Sequence, residues 1–215
     1  MKKHLLLIVC FSVFSWGWAQ QFTLADFYSV NSELNTQVDA IFNSLNDTTR
    51  VAQMLVTSAG ELGKPESVVF KLAKENKIGG VVFLKGTKAN HKRMIDSLNS
   101  IAKSQSQLPL LFSIDAEPSL FNGRLQGTQP LMKTIDIKTV AQADSIATLI
   151  NDHLLEMGFH QNFAPVSDVS PDNEAIKDRS FGSDKERVVA LNSAIRYVVR
   201  LASVQERHNI GLSPG

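Results

Sequence analysis

The feature that most constrains this 215-residue chain is a set of short runs that are apolar at consecutive positions rather than alternate ones. Val81-Val82-Phe83-Leu84 and Leu110-Leu111-Phe112-Ser113-Ile114 are the clearest, and Asn162-Phe163-Ala164-Pro165-Val166 is a third candidate. A strand with one wet face alternates apolar and polar residues. One that is apolar throughout is buried on both faces, which happens mainly in parallel sheets covered by helices.

The segments between these runs read as those helices. Val38, Ile41, Phe42 and Leu45 recur at helical spacing, and Asn46-Asp47-Thr48-Thr49 then offers caps for a new helix or turn. Val51 to Thr57 is either a strand or the buried end of a helix. Pro65 can open a helix with Val68, Val69, Leu72 and Ala73 on one face, and Gly79-Gly80 ends that unit. A helix over about 89–103 turns Met94, Leu98, Ile101 and Ala102 inward. Another over about 138–157 carries Ile146, Ile150, Leu154 and Met157 and stops at Gly158. Ser183-Asp184-Lys185-Glu186 has the form of a capping box, ahead of Val188, Val189, Ile195, Val198, Val199 and Ala202. The alternation predicts an α/β fold with a parallel sheet. A closed barrel and an open doubly wound sheet satisfy the pattern equally.

The N-terminus reads as an export signal. Lys2 and Lys3 precede the apolar run Leu5 to Trp16, and Gly17-Trp18-Ala19 supplies small residues for cleavage before Gln20. The run is short for a membrane span, which takes roughly 20 residues. A lipoprotein reading requires a small residue before Cys10, where Val9 stands. The division expected is 1–19 signal peptide, 20–34 leader and 35–215 folded domain, with a periplasmic, cell-surface or secreted bacterial destination and no stable membrane insertion after cleavage. Cys10 is the single cysteine and leaves with the signal, so the mature chain has no disulfide, thiol nucleophile or thiolate ligand. With 22 basic and 21 acidic residues and no run of like charge, nothing points to nucleic acid.

Polar candidates lie where parallel strands end. Asp115 follows Ile114, Glu117 is two residues on, and Arg124 is close behind. Asp168 comes two residues after Val166, and Arg179 lies in the loop beyond it. Loops at C-terminal strand ends converge on one opening, and acids beside an arginine there can grip sugar hydroxyls by charge-assisted hydrogen bonds. The plainer alternative is that they cap helices or pair with one another at the rim. His91, His153, His160 and His208 are dispersed without ligand spacing and read as exposed polar residues, so no metal and no cofactor is expected. Asn46-Asp47-Thr48 forms a glycosylation sequon without relevance in a bacterium. Gly211-Leu212-Ser213-Pro214-Gly215 matches the G-x-S-x-G pattern of esterases, but Pro214 removes the N–H that an oxyanion hole takes from the residue after the serine.

Five segments occur in order: Val51-Ala52-Gln53-Met54-Leu55, Gly79-Gly80-Val81-Val82-Phe83, Pro109 through Glu117, Asn162 through Val169, and Arg179-Ser180-Phe181-Gly182. Together, over residues 45–205, they resemble glycoside hydrolase family 3, especially its β-N-acetylhexosaminidase branch. The resemblance implies the first half, about four β/α units, of a TIM-type (β/α)8 barrel and a carbohydrate substrate. It implies that Asp115 and Arg179 hold hydroxyls of the sugar at the cleavage point, with Asp168 supporting the pocket and Glu117 completing the candidate set. Where the family commonly has two glycines after the Glu117 position, this chain has Pro118-Ser119.

The branch's Lys-His-Phe-Pro-Gly-His-Gly stretch, which carries the general acid/base, and its later aspartate nucleophile match nothing up to Gly215. No catalytic residue is therefore assigned, and the 215-residue stretch is expected to be inactive alone. The competing readings are a non-catalytic glycan-binding module, a β-glucosidase-like specificity within the family, and an unrelated open α/β binding protein.

Overall fold

The computed structural model describes residues 29–169 and 172–195. The chain divides into two compact units, Met1–Ser44 and Leu45–Gly215. In the first, the described part is one helix, α1 (Ser32–Ser44), and none of its residues is buried. Everything below concerns the second unit.

That unit opens with α2 (Asp47–Ala52), capped by the Asn46 side chain, which accepts the Thr49 N–H at 2.9 Å. Strand β1 (Val56–Ala59) follows, then α3 (Glu66–Lys74), with Pro65 at its N-cap. Strand β2 (Gly80–Phe83) leads through a two-residue strand, β3 (Gly86–Thr87), into α4 (Lys88–Ser104). Strand β4 (Leu111–Ile114) is followed by a 3-10 turn (Pro118–Leu120), α5 (Phe121–Arg124) and β5 (Leu125–Gln126). A second 3-10 turn (Thr134–Asp136) precedes α6 (Val140–Met157), and then come β6 (Gln161–Asn162) and a third 3-10 turn (Lys177–Arg179). Residues 185–195 form α7.

The main sheet has order β1-β2-β4-β6 and every pair is parallel; β3 and β5 form a separate parallel pair. Each strand thus lies beside the next main strand along the chain, with a helix between. Register explains the burial. Ala59, Phe83 and Ile114 stand in one row across three strands, and all are fully buried. One step back along the same face is the row Thr57, Val81 and Phe112. Apart from Thr57, these residues meet Val69 and Ala73 of α3, Met94, Ile95 and Leu98 of α4, and Ile150, Leu154 and Met157 of α6 in one core. The opposite face carries the row Ser58, Val82 and Ser113, of which the first two are only partly covered. A second cluster joins α6 to α7 through Ile137, Ala143, Ala147, Phe181, Val188, Leu191 and Ile195.

Most elements lie where the pattern of apolar residues places them, with instructive departures. Val51 to Thr57 divides into the end of α2 and the start of β1. Of the third strand run only Asn162 joins the sheet, together with Gln161 before it. Beyond it the Asn162 side chain replaces the ladder: Oδ1 accepts the Ala116 N–H at 2.9 Å, and Nδ2 donates to the Ala116 carbonyl at 3.2 Å. Pro165, after a cis bond to Ala164, has no N–H to offer a neighbouring strand. The α7 cap is Asp184, whose Oδ1 accepts the Arg187 N–H at 3.0 Å, rather than Ser183. The reciprocal capping box is at the start of α6, between Thr139 and Gln142. Val198, Val199 and Ala202 lie outside the described residues.

The histidines are not surface residues as expected. His91 on α4 is fully buried, edge-on to Phe83 and Phe159 with ring centroids 5.0 and 6.3 Å away. Neither ring nitrogen has a hydrogen-bond partner among the described residues. Gly86 makes room for it, since a Cβ there would lie 2.5 Å from His91 Cε1. His153 and His160 are half-buried, and His160 stacks on Phe112 while its Nδ1 accepts the Phe112 N–H at 3.0 Å. His208 lies outside the described residues.

Burial is the main influence on His91 and depresses its pKa, opposed by the Arg124 backbone and the Glu61 charge. The unfolded chain then takes up this proton first as pH falls through about 6.5, so stability present above that pH is lost below it. We expect His91→Leu to flatten the decline in melting temperature between pH 7.5 and 5, measured against wild type. A second expectation concerns Gly79, where a Cβ would come within 2.1 Å of the Gln53 carbonyl oxygen. Gly79→Ala should cost about 2–3 kcal/mol in urea unfolding, because backbone has to move.

Candidate functional site

The site is built at the C-terminal end of β4. The level row of strand ends leaves Asp115 as the first residue past Ile114, partly exposed at the sheet edge. The next turn begins at Pro118, whose fixed backbone suits the first position of a helical turn. Between them Glu117 points inward and is fully buried.

Two acid–arginine pairs result. Arg124, at the end of α5, donates from Nε to the Asp115 carbonyl and from Nη2 to Asp115 Oδ2, each at 3.3 Å. Arg179, from the third 3-10 turn, brings Nε to within 2.8 Å and Nη2 to within 2.7 Å of Glu117 Oε1. Its Nη1 donates to the Ala175 carbonyl at 3.0 Å. The Arg179 side chain remains about a third exposed, at 32%, while that of Glu117 is at 0%. Glu117 Oε2 is buried without a hydrogen-bond partner among the described residues.

The electrostatics follow from this asymmetry. Burial pushes the Glu117 carboxyl above the usual carboxylate range, and the Arg179 hydrogen bond and charge pull it back only in part. The Asp115 charge adds to the upward push and Arg124 opposes it. Arg179 is raised above its ordinary value, first by its bond to Glu117 and then by the charges of Glu117, Asp115 and Asp168. The guanidinium is therefore a permanent cation held by the buried Glu117 carboxylate, with the charges of Asp115 and Asp168 near enough to raise it further.

Of the four residues singled out from the sequence, Asp115, Glu117 and Arg179 come together at this edge. Asp168 is exposed on the segment after β6, and its charge reaches Arg179. Arg124 completes the arrangement. Its signal in the sequence was only proximity, because the turn through Pro118 and α5 is what returns it to Asp115. Ser119 went unread: its Oγ lies 2.6 Å from the Asp178 carbonyl, 2.8 Å from the Thr134 nitrogen and 3.0 Å from Thr134 Oγ1. Among the described residues no group of three or more His, Cys, Asp or Glu side chains could hold a metal ion.

A helix-covered parallel sheet with polar groups gathered past its strand ends is the layout of a barrel or doubly wound α/β domain, in which ligands bind at that end. Residues 47–206 match the N-terminal domain of glycosyl hydrolase family 3, and the chain belongs to that family. The β-hexosaminidase LpqI of Mycobacterium tuberculosis is 30% identical over 166 residues, which are 74% of this chain and 41% of that protein. A β-hexosaminidase of Tolumonas auensis is 32% identical over 127 residues, 54% of this chain and 36% of its own. Among solved structures, a family 3 β-N-acetylglucosaminidase from Paenibacillus sp. str. FPU-7 superposes with a TM-score of 0.63 at 26% identity, covering 74% of this chain and 31% of that one. M. tuberculosis LpqI superposes with a TM-score of 0.61 at 24% identity, covering 76% of this chain and 48% of that one, and shares the fold. The chain thus spans less than half the length of each of these relatives.

Removing Arg179 would leave the Glu117 carboxylate buried and unpaired. We expect Arg179→Ala to cost about 2–3 kcal/mol near pH 7, less than a wholly buried pair because the guanidinium meets solvent. The sign with pH is fixed by the raised Glu117 pKa: the folded state takes its proton more readily than the unfolded one. The deficit of the variant relative to wild type should therefore shrink as pH falls from 7.5 toward 4.5, measured by parallel thermal melts.

Proposed function

We propose that this stretch is the sugar-gripping part of an exported β-N-acetylhexosaminidase-like hydrolase acting on N-acetylglucosamine-containing glycans such as peptidoglycan fragments. The observation that carries the reading is that the Asp115–Arg124 and Glu117–Arg179 pairs lie past one strand end of a family 3 domain, with the Asp115 charge reaching Arg179. Arg179 has five N–H groups, of which three are engaged by Glu117 and Ala175, leaving two to donate. Asp115 holds Arg124 through Oδ2, and its Oδ1 is assigned to a sugar hydroxyl. One residue donates and the other accepts, which suits a vicinal diol. Glu117 acts on the sugar through Arg179, and Asp168 adds charge at the pocket wall.

Cleavage with retention takes a nucleophile and an acid/base partner on opposite sides of the bond, and neither role is assigned within these 215 residues. The stretch by itself is proposed to bind and not to hydrolyse. Residues 1–19 are proposed to direct export and 20–34 to lead into the domain, with cleavage before Gln20. Among the described residues no helix is long and apolar enough to cross a membrane.

Binding is tested by titrating the chain with N-acetyl-D-glucosamine and following Arg side-chain NMR signals. We expect saturable shifts at Arg179, and at least about tenfold weaker binding in Asp115→Ala and Arg179→Ala, since each loses a charge-assisted bond. No shift at any concentration up to 50 mM, about the weakest affinity worth assigning to so small a ligand, would overturn the reading. Hydrolysis is tested separately by assaying the chain on a chromogenic N-acetyl-β-D-glucosaminide, where no turnover above the buffer rate is expected and measurable turnover would overturn the non-catalytic part of the reading.

A further inference from the structure

Three segments distant in sequence meet at one oxygen. The Ser119 hydroxyl donates to the Asp178 carbonyl at 2.6 Å and accepts the Thr134 N–H at 2.8 Å. Having spent its single proton on Asp178, it can only accept from Thr134 Oγ1, 3.0 Å away. All its hydrogen-bonding capacity is therefore used. Thr134 is fully buried, so water cannot replace these bonds on its side.

The partners give the contact its meaning. Asp178 is joined by a peptide bond to Arg179, and Ser119 lies two residues after Glu117. The loop carrying Arg179 is thus pinned twice to the loop carrying Glu117: once through the guanidinium and once through the Asp178 carbonyl, which accepts from the Ser119 hydroxyl. The 3-10 turn at Thr134–Asp136 is held by the same hydroxyl, and the Lys133–Asp178 ion pair reinforces it from outside. A glycine at position 119 could form none of these bonds.

We infer that Ser119 is a positioning residue that holds Arg179 in its ligand-binding pose before any sugar arrives. It touches no substrate and acts by fixing the Asp178–Arg179 peptide. The inference takes its purpose, though not its geometry, from the sugar-binding reading above. A pinned arginine binds without first surrendering loop freedom, so losing the pin lowers affinity even where the fold survives.

The test compares the full chain with Ser119→Ala, Ser119→Thr and Ser119→Cys. The readout is hydrogen exchange of the Arg179 Nε–H, which donates to a buried carboxylate and should exchange slowly in wild type. We expect Ser119→Ala to speed that exchange about tenfold, the ratio expected for one lost hydrogen bond. Ser119→Thr, which keeps the hydroxyl, should restore the wild-type rate, and Ser119→Cys, a weak donor of similar shape, should fall between. If Ser119→Ala does not fold, the Cys and Thr variants carry the comparison. A hydroxyl serving only general stability would lower the melting temperature and leave Arg179 exchange unchanged, and that result overturns the inference. N-acetyl-D-glucosamine affinity is measured on the same samples. Exchange that responds to Ser119 in a chain without sugar affinity would retain the pin and discard the glycan reading; unchanged exchange with intact sugar binding would do the reverse.

Discussion

The level row of Ala59, Phe83 and Ile114 governs where everything else can be. Parallel pairing sets three strand ends at one height, and the aromatic and aliphatic bulk of that row locks the register against α3, α4 and α6. A slip of one residue would turn Phe83 and Ile114 to the opposite face and bring polar Ser113 into the core. Because Asp115 directly follows Ile114, the register that buries the core also delivers the first site residue to the sheet edge.

From that edge, burial and charge share the work unequally. Glu117 gives up solvent entirely to hold Arg179, at a desolvation cost visible in its raised pKa and in its unpartnered Oε2. Arg179 keeps part of its surface and its spare donors. The pair is thus a support with one buried end and one working end. Asp115 and Arg124, both partly exposed, form a looser pair alongside.

Much of this was legible in the residues. Consecutive apolar positions at Val81–Leu84 and Leu110–Ile114 announced a parallel sheet, although only the face carrying Phe83 and Ile114 is fully packed and Val82 and Leu111 on the other keep part of their surface. Gly158 marked the end of α6 and adopts the left-handed backbone expected of it, with φ of 87°. What could not be read depends on long-range partners. Asn162 looked like the start of a strand, and nothing local reveals that its carboxamide is matched to the Ala116 peptide. His91 looked polar because its isolation among Phe83, Phe159 and Gly86 exists only after folding. Ser119 looked like a replaced glycine, and its role appears only once Thr134 and Asp178 are brought to it. The Ser183 cap was misplaced by one residue because Asp184 competes for the same N-terminus with an equally good acceptor.

The Asn162 carboxamide stands in for a peptide group, donating to and accepting from Ala116 just beyond the last paired residues of β4 and β6. A peptide bond is chemically durable on the scale of a protein's life, whereas a side-chain amide is open to hydrolysis. Deamidation at this position would exchange the donor for a second anionic oxygen facing the Ala116 carbonyl, one residue from Asp115 and one from Glu117. A lesion of one mass unit would thus add negative charge between the two carboxylates while loosening the strand that holds them.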